Sequence, residues 1–366
     1  MLINALHAKS GGGVTYLRNM LPYLAADPSI EVHLCIHDSQ SAIIGDLPDG
    51  VIPHRMSFRP GFWWLAYYEQ TLIPRLARSI GAAVTFSPAN YGPLFAPGQV
   101  IMIRNALGVA FIEKRLSKIA YWFMIYIATV LSIFRARQVI AVSDFVVHTT
   151  GKTMSRWVIK KYSIIHHGVS DVFSPPEKEQ QRDSFILAVS DIYVQKNYIN
   201  LLIVIDRLRE KHPDIVLKIA GRPVDGDYYA GLQKIIAERG MQNNIHFLGS
   251  VTHEELASLY RQCRLFVFPS LVESFGNPLV EAMASGAPVA TSNAAAMPEV
   301  AGSVALLFDP DNIDHMTDSL GRLYEDDELR QTLSKLALQR ASKFSWSRTA
   351  KATIEIFKAA AGRDVK

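Results

Sequence analysis

The stretch LFVFPSLVESFGNPLVEAMASG, Leu265 to Gly286, decides how this chain is read. LFVF is a short run of large apolar residues of the kind that fills a strand buried on both faces. SLVESFG breaks that run, and Asn277 followed by Pro278 reads as a helix N-cap and a first helical residue. Gly286 reads as the helix stop. Ser274–Phe275–Gly276–Asn277 then presents backbone N–H groups at a helix N-terminus, which carries about half a unit of positive charge and binds phosphate well. Glu273 and Glu281 flank this terminus eight residues apart. A carboxylate accepts hydrogen bonds from two adjacent hydroxyls, as on a ribose or a hexose. One strand–loop–helix unit thus joins an anion cradle to two acceptors for sugar hydroxyls.

Working outward, apolar runs and helical spacing alternate on both sides of this unit. Strands are predicted at Phe185–Val189, Val216–Ala220, Ile245–Leu248, Leu265–Phe268 and Pro288–Thr291. Helices are predicted between them at Tyr198–Lys211, Tyr228–Arg239, Glu254–Gln262 and Pro278–Ser285. The first half repeats the theme, with strands at Leu2–Leu6, Glu31–Ile36, Ala83–Phe86, Val100–Ile103 and Val139–Val142 and a helix over Val14–Ala26. DVFSPPEKEQQRD, from Asp171 to Asp183, is polar and carries two prolines, so it reads as a linker. Such alternation predicts an α/β chain of two doubly wound, Rossmann-like domains facing across a cleft. Residues 1–170 form the first and 171–346 the second, and the terminal helix, 347–366, crosses back onto the first.

The 366 residues suit about two domains. The hydrophobic share of 49% and charged share of 20% are those of a folded chain, without the like-charge blocks of a disordered one. The net charge of +4 is dispersed, and no aromatic–basic motif accompanies it, so nucleic acid is not an expected partner. Cys35 and Cys263 lie among apolar residues and read as packed thiols in a reducing, cytoplasmic setting. Met1–Leu6 is too short for a signal sequence. IAYWFMIYIATVLSIF, Ile119 to Phe134, has sixteen residues without a charge, short of the roughly 20 that cross a membrane. It reads first as a core helix. Its flanking Lys114, Arg115, Lys118, Arg135 and Arg137 leave open a peripheral contact with the anionic inner face of the cell membrane. Phe62, Trp63, Trp64, Tyr67 and Tyr68 form an aromatic cluster open to the same two readings, core or an acceptor- and lipid-contacting surface.

The Leu265–Gly286 unit resembles the E-x7-E motif of the retaining GT-B glycosyltransferases called group 1. The likeness extends along the chain, through Gly11–Gly12–Gly13, His167–Gly168–Val169 with Phe173, Lys196–Asn197, Phe247–Leu248–Gly249 and Phe344–Ser345–Trp346, all in family order. The resemblance implies that Glu281 holds the ribose of a nucleotide diphosphate sugar and that Glu273 contacts the transferred sugar. It implies that the amides of Phe275, Gly276 and Asn277 meet hydroxyls and phosphate, with Leu279 and Val280 near the nucleotide and Gly249 and Val251 edging the base pocket. Lys196 would neutralise the diphosphate, and Gly12 and Gly13 would approach it from the first domain. The sequence departs from the family at Asp191, where members carry an arginine, so Asp191 is expected to point away or to bind another group; Arg222 is the cation that could replace the missing charge. It departs again at Asn105, which stands where many members have a histidine. What the resemblance implies is front-face, retaining, metal-independent transfer of a hexose, with mannose as the first choice. The acceptor is a saccharide or lipid-linked saccharide of surface polysaccharide or lipopolysaccharide synthesis.

Other signals weigh less. Gly11–Gly13 is not a dinucleotide fingerprint, because Tyr16 stands where a third glycine belongs. Asp225–Gly226–Asp227 and Asp309–Pro310–Asp311 read as helix-capping turns before they read as metal ligands. His166–His167 alternates across a strand or turn rather than forming a metal pair. The rival functions are a nucleotide-sugar epimerase or sugar phosphorylase of the same architecture. A catalytically silent nucleotide-sugar-binding subunit is the third, motivated by Asp191.

Overall fold

The computed structural model describes residues 1–8, 11–104, 116–151, 156–177 and 182–362, with no side chain described at 116–118, 120 and 156. The chain forms two compact units, Met1–Gly168 with Ser345–Lys366, and Val169–Phe344.

In the first unit, β1 (Leu2–Asn4), β2 (Val32–His37), β3 (Val51–Met56), β4 (Thr85–Ser87), β5 (Gln99–Ile103), β6 (Gln138–Ala141) and β7 (Tyr162–Ile164) pair in parallel. Their order is β3-β2-β1-β4-β5-β6-β7. The inner strands read as unbroken apolar runs because helices cover both faces; β5, QVIMI, is buried throughout. The chain leaves β1 toward one edge and β4 toward the other, so the order reverses between them. The Trp346–Ala361 helix belongs to this unit. Phe357 packs on Phe86 with ring centroids 4.9 Å apart, and Trp346 stacks on His167 at 5.8 Å. Gly168 is a glycine for a steric reason: a Cβ there would strike the backbone of Ser345 and Trp346. His167 therefore acts as a packing residue under the last helix.

In the second unit, β8 (Phe185–Val189), β9 (Val216–Ala220), β10 (Ile245–Gly249), β11 (Leu265–Phe268), β12 (Val289–Ser292) and β13 (Leu306–Phe308) are likewise parallel. The order β10-β9-β8-β11-β12-β13 repeats that of the first sheet, and its reversal lies between β8 and β11. β8 is buried on both faces, and the Tyr198–Lys211 helix buries Leu201, Leu202, Ile205 and Leu208 in the same core. Each such side chain contributes about 1.5–3 kcal/mol relative to exposure.

Three strands escape the sequence reading, β3, β7 and β13, and all are edges with half-exposed patterns. β3 carries Pro53, which an edge tolerates and a central strand does not. The Ile313–Glu325 and Asp327–Ala341 helices were also not foreseen. The segment IAYWFMIYIATVLSIF lies in the Leu116–Arg135 helix and is amphipathic rather than wholly core. Ile125, Thr129, Ser132 and Ile133 are buried, while Tyr121, Phe123, Tyr126, Ile127, Leu131 and Phe134 are exposed. Among the described residues no helix is long and apolar enough to cross a membrane.

Candidate functional site

Lys196 and Glu273 form an ion pair in the second unit, each about one-sixth exposed. The fold brings them together. Lys196 closes a 3-10 turn, Val194–Lys196, in the loop after β8, and Glu273 lies in the loop after β11. Those are the neighbouring strands at which the sheet order reverses, and a crevice at the carboxyl ends of such strands is where doubly wound sheets bind ligands. Leu271 N donates to Gln195 O at 2.8 Å and fastens one loop to the other. Asn197 adopts φ 58° to end the turn, and its side chain donates to Pro310 O at 2.8 Å, which fixes the start of the following helix.

The helix that follows Glu273 runs Asn277–Ala284. Its N-cap is Gly276 rather than Asn277, with Pro278 one place further in than expected. Gly276 sits at φ 87°, a left-handed conformation that glycine adopts without strain, and a Cβ there would press on the Phe268 ring at 3.2 Å. Phe275 is buried against Phe344. Leu279 and Val280 are fully buried, so their side chains pack beneath the helix start, and Leu279 N already donates to Gly276 O. Glu281 projects from the second turn and accepts a hydrogen bond from the Tyr260 hydroxyl at 3.2 Å. Burial pushes its carboxyl up to about 7, and the tyrosine bond pulls the other way. Nothing in the spacing of the sequence pointed to Tyr260, which reaches Glu281 from the His253–Gln262 helix.

Asp191 and Arg222 make a two-pronged pair, Arg222 Nη2 to Asp191 Oδ2 at 2.7 Å and Nε to Oδ1 at 3.2 Å. Asp191 thus binds another group, as the sequence led us to expect, and the group is Arg222. Burial alone would raise the Asp191 carboxyl, but the Arg222 hydrogen bonds, with Lys196 nearby, hold it below the usual range. Arg222 therefore brings no unbalanced charge to the site. Gly249, at φ 69°, ends β10 and accepts from Gly221 N at 2.8 Å, while Val251 is half-buried just beyond. In the triplets, Asp225 caps the Gly226–Glu238 helix, and Asp309 accepts from Asp311 N at 3.0 Å in a turn. Cys35 and Cys263 are buried free thiols, both pushed up to about 12 by burial.

In the first unit, Gly11 at φ 56° precedes a helix that begins at Gly12. Gly12 is half-buried and Gly13 buried. A Cβ on Gly13 would collide with the Arg104 guanidinium, so this glycine makes room for a cation. Arg104 was missed by the sequence reading, although it directly follows β5; Asn105, chosen there instead, lies outside the described residues.

Two doubly wound sheets with the same strand order define the GT-B fold. A structure of Anabaena Alr3699/HepE in complex with UDP-glucose superposes with a TM-score of 0.77 at 16% identity, over 98% of this chain and 99% of that one. Sucrose-phosphate synthase from Thermosynechococcus elongatus gives 0.76 at 18% identity, with 98% of each chain covered. Residues 170–340 match the family described as Glycosyl transferases group 1, and the second unit belongs to it. Among sequence relatives, the O-antigen chain mannosyltransferase B of Escherichia coli is 38% identical over 124 residues, 34% of this chain and 32% of that protein. The MMP alpha-(1->4)-mannosyltransferase of Mycolicibacterium hassiacum is 32% identical over 204 residues, 55% of this chain and 49% of that protein. The matches thus span about a third and about a half of the length of these two relatives.

Proposed function

We propose that the protein is a glycosyltransferase that moves a hexose, mannose first among them, from a nucleotide diphosphate sugar to a saccharide or lipid-linked saccharide, with retention at the anomeric carbon. The observation that carries this reading is the Lys196–Glu273 pair at the sheet reversal, beside the helix that bears Glu281. The mannosyltransferases among the relatives support the choice of sugar and a role in surface polysaccharide or lipopolysaccharide synthesis.

The chemistry follows from charge. Cleavage of the anomeric bond leaves negative charge on the diphosphate, and preorganised donors aimed at that charge give the largest catalytic contribution. The Lys196 ammonium is paired with Glu273. An arriving diphosphate takes over the ammonium, and the released Glu273 carboxylate turns to the hydroxyls of the transferred sugar. Glu281 grips the ribose, and the amides before the Asn277–Ala284 helix face phosphate. The acceptor hydroxyl attacks from the side the diphosphate leaves and gives its proton to the departing phosphate oxygen, so no protein nucleophile and no metal is required. The first unit lies on the inner face of the membrane through the exposed aromatics of its Phe62–Ser79 and Leu116–Arg135 helices.

The test is incubation with GDP-mannose, or with UDP-hexoses, and lipid-linked saccharide acceptors, followed by NMR of the product. An α-linked product from an α-linked donor, formed equally well with a chelator present, is expected. A β-linked product overturns retention, and steady donor consumption without a glycosidic product points to the epimerase or phosphorylase.

A further inference from the structure

The first unit has its own reversal point, between β1 and β4, and polar groups converge on it. Glu69, on the Phe62–Ser79 helix, is 1% exposed. Its Oε1 accepts from Asn4 Nδ2 at 2.6 Å and meets His7 Nε2 at 2.8 Å. Asn4 Nδ2 also lies 3.2 Å from Ser87 Oγ at the end of β4. Glu69 Oε2 and Asn4 Oδ1 are buried and have no hydrogen-bond partner among the described residues. Burying a carboxylate this way contributes little to stability compared with an apolar pair of the same volume. Its position, at the carboxyl ends of the two strands where a doubly wound sheet takes its ligand, gives it a different purpose.

The imidazole is the part of this cluster that reaches outward. The His7 side chain is 13% exposed while that of Glu69 is sealed. In the neutral imidazole the nitrogen that faces the carboxylate, Nε2, is the one that carries the hydrogen, and Nδ1 is then the one with the lone pair. Nδ1 has no partner among the described residues. The Tyr91 ring packs edge-to-face with the imidazole, centroids 4.8 Å apart at 73°, and so restrains its plane. Carboxylate, ring and free nitrogen form the arrangement in which one histidine nitrogen is anchored so that the other can meet a substrate.

We propose that His7 receives the acceptor: its Nδ1 accepts a hydrogen bond from the attacking hydroxyl of a saccharide, and Glu69 is the positioning residue that fixes the tautomer and the ring. This rests on the glycosyl-transfer reading. The acceptor oxygen forms the new bond to the anomeric carbon, the bond from that carbon to the diphosphate oxygen breaks, and the proton ends on the diphosphate. His7 orients the hydroxyl and keeps no proton.

The test measures, in the full-length protein, Kd for GDP-mannose and UDP-glucose and the release of nucleoside diphosphate with water or methyl α-mannoside as acceptor. For His7→Ala and Glu69→Gln, donor Kd stays within about two-fold of the parent while turnover falls on the order of a hundred-fold, the scale of a misplaced reactant. His7→Gln, whose carbonyl oxygen accepts a hydrogen bond, recovers part of the loss, which a purely structural role does not allow. Turnover within two-fold of the parent in His7→Ala, or a loss of donor affinity equal to the loss of rate, overturns the proposal. A parent protein that binds neither nucleotide sugar overturns the transfer reading and this inference with it.

Discussion

Glu281, pushed up to about 7 by burial, titrates in the neutral range. A carboxyl raised in this way favours the folded state most at low pH, and that contribution is lost as pH rises from the usual carboxylate range through 7. Ribose needs both oxygens as acceptors, so donor binding runs with the ionised form. Nucleotide affinity is expected to rise roughly ten-fold between pH 6 and pH 8, and the rise disappears in Glu281→Gln; titration calorimetry at the two pH values measures both. Glu273 plays the other part. Glu273→Ala leaves the nucleotide contact intact and lowers turnover, whereas Lys196→Ala lowers turnover by about two to three orders of magnitude, the cost of removing one preorganised donor. Steady-state kinetics on both variants separate the roles, and equal, negligible effects argue against the site. The Asp191–Arg222 pair shows what a residue-by-residue comparison misses: the carboxylate that stands where an arginine was expected is balanced by a two-pronged guanidinium.

Elements were legible where their burial was. β8 and β11 are apolar on both faces and β9 is apolar but for Lys218, and the predicted bounds of all three coincide with those observed. β3, β7 and β13 pair on one side only; β3 and β7 carry polar residues that erase the pattern, and β7 and β13 are only three residues long. The Asn277–Ala284 helix was legible for a local reason, a proline and a glycine at its start, yet its cap moved one residue because Gly276 turns left-handed. Arg104 and Tyr260 were not legible, since what matters about them is the residue they meet across their own unit, Gly13, which leaves room for the guanidinium, and Glu281, which takes the tyrosine hydrogen bond. Apolar residues on a helix also do not say which face is wet. The Phe62–Ser79 helix exposes Trp63, Trp64 and Tyr67, and its Phe62 ring meets Tyr121 of the Leu116–Arg135 helix at 5.8 Å. Two helices thus share one exposed aromatic face. Changing Trp63, Trp64 and Phe123 together to serine is expected to cut sedimentation with phosphatidylglycerol vesicles by ten-fold or more, while stability shifts only modestly for exposed positions. Unchanged sedimentation removes the membrane from the proposal.

Across the whole chain, two units with separate cores are expected to answer separately to mutation and to ligand. Phe357→Ala opens a cavity against Phe86 and costs about 3–5 kcal/mol, confined to the first unit. A nucleotide sugar at a hundred times its Kd adds about 2.7 kcal/mol to the second. Calorimetry of the variant with and without nucleotide should resolve two transitions moving in opposite directions; a single transition would mean that the units melt as one. The return of Ser345–Lys366 to the first unit has a consequence on the ribosome. The first sheet is complete before Val169–Phe344 has been made, but the helix that covers Phe86 and Tyr16 is not yet synthesised. At about 5–20 residues per second, the nascent amino-terminal half waits roughly ten to forty seconds with that apolar seam open, a window in which it is exposed to misassociation.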